Sequence, residues 1–133
     1  MMNPTASSND AAIITTVDEL LNAYGEGQRS FSNINLPGCT LQGQNLKGAD
    51  FSYADFSGAD LSQANLRGVD LSYAVLRGCK VTETNLRGAM LIGTDLQEVD
   101  LTTANIQEAD YDPQETRFSE SFDPIAAGMK SDR

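Results

Sequence analysis

Seven aspartates recur through the middle of the chain at Asp50, Asp55, Asp60, Asp70, Asp95, Asp100 and Asp110, every spacing a multiple of five. Paired carboxylates could hold a hard cation or act as an acid–base couple. Either use needs the acids to converge on a cleft, and seven acids spread around the outside of a regular structure do not converge. They are expected to face solvent and to hydrogen-bond the neighbouring turns. The rest of the reactive inventory is thin. The 133 residues contain no His. That removes the commonest general base and the commonest transition-metal ligand, and with them serine–histidine, cysteine–histidine and most zinc chemistry. Glycine is plentiful, but neither GxGxxG opening a helix nor GxxxxGKS is present, so no phosphate loop is expected. No catalytic residue, metal ligand or cofactor is assigned.

Charge excludes further classes. Nineteen acids face nine bases, a formal charge of −10. Nucleic acid and anionic membrane are poor partners for such a surface. No apolar run approaches the ~20 residues that span a bilayer. Residues 1–16 (MMNPTASSNDAAIITT) have neither a basic start nor a long apolar stretch, so no signal peptide is expected and the expected compartment is the cytoplasm.

The elements that would position these side chains follow a strict period. A large apolar residue returns every five positions at Phe31, Leu36, Leu41, Leu46, Phe51, Phe56, Leu61, Leu66, Leu71, Leu76, Val81, Leu86, Leu91, Leu96, Leu101, Ile106 and Tyr111. Neither the helical period of 3.6 nor the strand period of 2 fits this series. Two residues before each station lies a smaller side chain: Ala at 49, 54, 59, 64, 74, 89, 104 and 109, Cys at 39 and 79, Val or Thr at 69, 84, 94 and 99. The residue between the two is usually Asp or Asn and must point outward. Eight of the eleven glycines close a unit, where they supply the positive φ of the third residue of a type II turn. Each unit is therefore two extended residues and a sharp turn.

Units such as ADFSG (54–58), ADLSQ (59–63), ANLRG (64–68) and VDLSY (69–73) resemble the A(D/N)LXX signature of the pentapeptide-repeat family, over roughly residues 29 to 113. The resemblance implies an all-β solenoid, a right-handed quadrilateral β-helix in which four units close one coil. A 20-residue echo supports the square independently. Asn45, Asn65, Asn85 and Asn105 would form one column, with Lys47, Arg67, Arg87 and Gln107 beside it. Tyr53 would stack on Tyr73, and Asp60, Lys80 and Asp100 would alternate along a third face. Weak units are QRSFS (28–32), which lacks a small inward residue, the unit with Gln44 in an inward place, and AMLIG (89–93). Cys39 and Cys79 would lie two coils apart, ~9.6 Å at ~4.8 Å per layer, beyond disulfide reach and best read as reduced core thiols.

About four coils leave two open sheet edges to cover. Residues 1–12 are expected to be disordered. A capping helix is expected within 13–28, opened by the capping box Thr16–Glu19. After the repeats (29–113), Phe118, Phe122, Ile125 and Met129 suggest a second short helical cap in 114–133, starting at Asp123-Pro124. Lidded at both ends, the chain is expected to be a monomer.

Two functions compete. The family includes proteins that resemble B-DNA and bind DNA gyrase, so a DNA-mimic inhibitor or modulator of gyrase or topoisomerase is the alternative reading. Yet residues 29–113 hold 11 acids and 6 bases, net −5, against the ~12 charges that DNA carries over four coils or ~20 Å. The leading reading is a small non-enzymatic module that binds or regulates another protein. Its candidate contact is an apolar edge of Tyr53, Tyr73, Val75, Met90 and Ile92. Val75 and Met90 replace the expected acid or amide. The rival is the basic column Lys47, Arg67 and Arg87.

Overall fold

A computed structural model describes residues 13–132; the segment 1–12, expected to be disordered, lies outside the described residues. One helix, α1 (Val17–Gly25), opens the described chain. Thr16 caps it: its hydroxyl accepts from the Glu19 N–H at 3.1 Å, while the Glu19 carboxylate accepts from the N–H groups of Thr15 (2.8 Å) and Thr16 (3.2 Å). Those bonds, the Thr15 N–H first, hold the Glu19 carboxyl below its ordinary pKa. Leu20 is fully buried and joins the repeat core. Tyr24 donates its hydroxyl to the Lys47 carbonyl at 2.7 Å, and the Arg29 guanidinium sits 3.7 Å above the Tyr24 ring. Gly27, at φ 104°, turns the chain into the repeats.

From there the backbone advances in parallel, 20 residues per step. Ser30 pairs with Asp50, Asp50 with Asp70, Asp70 with Met90 and Met90 with Asp110. A second column runs Asn35, Asp55, Val75 and Asp95; a third runs Thr40, Asp60 and Lys80; a fourth runs Asn45, Asn65, Asn85 and Asn105. Each pairing is a single bridge because each unit supplies only two extended residues before turning. The bonds alternate along the stack. Phe56 N–H donates to the Val75 carbonyl of the next coil, and Asp55 N–H donates to the Ile34 carbonyl of the coil before, both at 2.9 Å.

All seventeen stations are buried, and most of the small inward places are too. Ile34 fills such a place in the first coil although it is not small. Polar residues inside the column are not orphaned. The hydroxyls of Thr84 and Thr94 donate to the carbonyls of Leu61 and Leu71 at 2.7 and 2.8 Å, and the Cys79 thiol donates to the Phe56 carbonyl. Each acceptor already takes its own turn bond, so the inward donors use a second lone pair.

The turns explain how units without glycine survive. Asn33, Tyr53, Gln63, Tyr73, Glu83, Glu98 and Glu108 all take φ between 56° and 66° at the third turn position, where the other units carry Gly. Thr103 does not, and here the expected third face fails. Asp60 pairs with Lys80, but no Lys80–Asp100 pairing occurs among the described residues. Instead the Glu83 N–H donates to the Thr103 hydroxyl at 3.0 Å, so a side chain has taken a ladder bond.

The C-terminal tail also departs from expectation, since its described residues form no helix. It adds two short strands. β1 (Asp95–Leu96) pairs in parallel with β3 (Arg117–Phe118), and β2 (Asp110–Tyr111) with β4 (Lys130–Ser131). The first register is 22 residues and the second is 20, so two extra residues are accommodated between Tyr111 and Arg117 and later absorbed. Asp123 does start a turn, its carboxylate accepting from Ile125 and Ala126, but Gly128 at φ 87° ends it. Met129 is buried, Phe118 and Phe122 are half-buried, and Ile125 is 72% exposed and covers nothing.

A tyrosine corner with an acidic frame

The turns at 51–54, 71–74 and 91–94 stack at one corner of the coil. Tyr53 and Tyr73 are their third residues, at φ 62° and 60°. The left-handed region costs a non-glycine residue about 1–2 kcal/mol, so these positions hold tyrosine against local preference. The two rings are stacked, centroids 5.3 Å apart and 15° from parallel. Tyr73 in turn lies over Gly93, where a Cβ would stand 2.4 Å from its ring. The Tyr73 hydroxyl donates to Glu115 Oε1 at 2.7 Å. That bond, and the carboxylate charge behind it, push the phenol above its ordinary pKa. Glu115 belongs to the 22-residue step, which is why no periodic reading of the sequence could place it here.

Met90 sits in the column of Asp50, Asp70 and Asp110 on one side of this corner, and Val75 in the column of Asp55 and Asp95 on the other. Exposures are 60% for Tyr53, 43% for Tyr73, 36% for Val75 and 42% for Met90. Ile92 is half-buried, so it is not the free outward side chain the sequence suggested.

The basic column is real but not all of it is free. Glycine N–H bonds at 48, 68 and 88 connect Lys47, Arg67, Arg87 and Gln107 in register. Arg87 is paired with Glu108 at 3.3 Å, while Arg67 and Lys47 stand exposed with no ion pair among the described residues. Arg77 makes the same kind of contact with Glu98, at 3.2 Å.

The outward acids have a job in the fold. Asp50, Asp55, Asp60, Asp70, Asp95 and Asp100 each accept, through Oδ1, the N–H two residues ahead, at 2.9–3.0 Å. Asn45, Asn65, Asn85 and Asn105 do the same at 3.0–3.2 Å. The hydroxyls of Ser62 and Thr102 hold the carboxyls of Asp60 and Asp100 below the ordinary range. Among the described residues no three of His, Cys, Asp and Glu gather as a metal cluster, and no helix is long and apolar enough to cross a membrane. Both cysteines are free, and burial pushes the Cys79 thiol up to about 12.

A parallel column with a 20-residue step and inward residues at every fifth position defines a repeat solenoid. The profile described as pentapeptide repeats matches residues 30–68 and 70–107, in eight copies, and the chain belongs to that family. Proteins of the family fold as right-handed quadrilateral β-helices and are generally structural or binding proteins. The chain is similar to alr5209, a pentapeptide repeat protein from Nostoc PCC 7120: 41% identical, covering 90% of this chain and 98% of that one, TM-score 0.87. It also matches a pentapeptide repeat protein of the Arabidopsis thaliana thylakoid lumen at 34% identity, over 61% of this chain and 57% of that one, TM-score 0.42. QnrB1, a plasmid-mediated fluoroquinolone resistance protein, matches at 20% identity, over 78% of this chain and 58% of its own, TM-score 0.53, and so speaks for the fold alone. No curated protein sequence matches the chain.

Proposed function

We propose that this chain is a non-enzymatic binding module: a column of about four coils, closed by α1 at one end and by the tail at the other, that presents the tyrosine corner to a partner protein. One observation carries the reading. Within residues 30–107 the exposed large apolar side chains are Tyr53, Tyr73, Val75 and Met90, and all four gather at one corner. Contiguous exposed apolar patches mark contacts, and Tyr and Met are favoured in them. The outward aspartates support the non-enzymatic part, because each gives one oxygen to its own turn and they are spread around the column rather than gathered on a common cleft. DNA mimicry gains no support from the charge. Arg67 and Lys47 project along one edge of the column, where a DNA mimic should be acidic.

The test compares two variants for retention of the protein that the wild type retains from lysate of its native cells. Tyr53→Asn with Met90→Asp removes the corner without disturbing the turn, since Asn33 already occupies the equivalent place at φ 66°. Arg67→Glu reverses the basic column. Loss of the partner in the first and retention in the second is the expected result. The opposite pattern would move the contact to Lys47, Arg67 and Arg87.

A further inference from the structure

Resting on that reading, we infer that the tyrosine corner takes a basic segment of its partner protein, an arginine-bearing stretch whose guanidinium lies against Tyr53 while its neighbours meet the acids that frame the corner. The frame is set by the register. Val75 is bridged to Asp55 on one side and to Asp95 on the other, and Met90 lies between Asp70 and Asp110. Asp50 lies directly against Asp70. Like charges opposed across neighbouring strands are unfavourable, so this frame favours a cation over an anion. The ion pairs among the described residues are Arg77–Glu98, Arg87–Glu108 and Lys130–Asp110. Asp50, Asp55, Asp70 and Asp95 therefore have no basic side chain within 4.0 Å. The turn bonds use part of each carboxylate, which offers about four lone-pair sites and so keeps acceptor capacity for a guanidinium or ammonium group.

The aromatic half of the site is built for the same ligand. Tyr73 is held from three directions, by Tyr53, by the glycine floor at 93 and by Glu115. Little side-chain freedom is left to lose on binding. The guanidinium-on-tyrosine contact is one this chain already makes, with Arg29 over Tyr24. Val75 and Met90 offer apolar surface to the aliphatic stem of an arginine or to a leucine beside it. A second copy of this chain, itself at −10, is opposed by the same charge.

Nuclear magnetic resonance titration of the full chain with a short peptide of alternating arginine and leucine tests this. A peptide with glutamate in place of arginine is the control. The expected result is shifts concentrated in turns 51–54, 71–74 and 91–94, with no shifts from the glutamate peptide. Tyr53→Asn should weaken the arginine peptide about fivefold, equivalent to ~1 kcal/mol. Asp70→Asn keeps the turn bond that Asn makes at 45, 65, 85 and 105, and should weaken binding while flattening its salt dependence. Shifts spread over every acidic face, or variants that bind as the wild type does, would overturn the inference. If the peptide fails while Tyr53→Asn with Met90→Asp still loses the native partner, the basic segment is wrong and the docking corner stands. If that variant keeps the native partner, both are wrong.

Discussion

Two glycines with the same backbone show how a single residue builds the corner. Gly88 and Gly93 have φ of 68° and 69°, so alanine at either meets the same left-handed cost. Beyond that they differ. A Cβ at 88 has nothing within 4 Å, whereas one at 93 runs into the Tyr73 ring. Gly88→Ala is expected to lower stability by about 1–2 kcal/mol, the conformational cost alone. Gly93→Ala should cost more, because Tyr73 must swing away from its floor and from Glu115. Chemical denaturation of the two variants isolates the ring contact as their difference. Equal losses would mean that Tyr73 is not held against Gly93, and the corner would lose its rigidity argument.

At the scale of the element, the unit is held by a side chain that closes its own turn. An aspartate accepting the N–H two residues ahead is stronger when ionised. Asp60 and Asp100 accept a hydroxyl as well as an N–H, and their folded pKa values lie below the ordinary aspartate value of ~3.9. A depressed folded pKa contributes stability that is present above the unfolded pKa and is lost as pH falls through the folded one. Thermal stability is therefore expected to hold down to about pH 4 and to fall below it. Asp60→Asn with Asp100→Asn should show a shallower acid limb, because asparagine keeps the turn bond and does not titrate. An unchanged acid limb would show that these two turns contribute nothing to it.

The same element explains what could be read from the chain and what could not. Inward and outward places alternate within a five-residue unit, so composition at fixed positions revealed the stations from Phe31 to Tyr111 and the 20-residue register that stacks Tyr53 on Tyr73. Thr103 could not be read this way, because loss of one turn type depends on a hydroxyl competing with a carbonyl across coils. The tail could not either. Its two extra residues carry no repeat signal, and Asp123-Pro124 looks like a helix start until Gly128 cuts it short. Ile92 differs for a related reason: an outward place within a unit does not fix how exposed its side chain is, and Ile92 is half-buried as Ser52 and Ser72 are in the same column.

For the whole molecule the open question is what stops one column from adding to another. Parallel coils end in unpaired backbone, and such edges template association. At the C-terminal end the tail occupies those groups. Arg117 N–H donates to the Thr94 carbonyl, Lys130 N–H to Ala109, Asp132 N–H to Tyr111, and the Gly128 carbonyl accepts from Glu108. Met129 meanwhile closes over the apolar end of the core. Deleting residues 117–133 would open all four bonds and leave Tyr111 and its neighbours without cover. The full chain, lidded and strongly acidic, is expected to run as a monomer in light scattering at every concentration. The truncated chain should unfold at lower temperature and associate end to end as concentration rises. Charge resists that association, so raising the salt should strengthen it, which a purely ionic aggregate would not do. A truncated protein that remained monomeric and melted with the full chain would show that the tail is an ornament on a column whose last coil needs no lid.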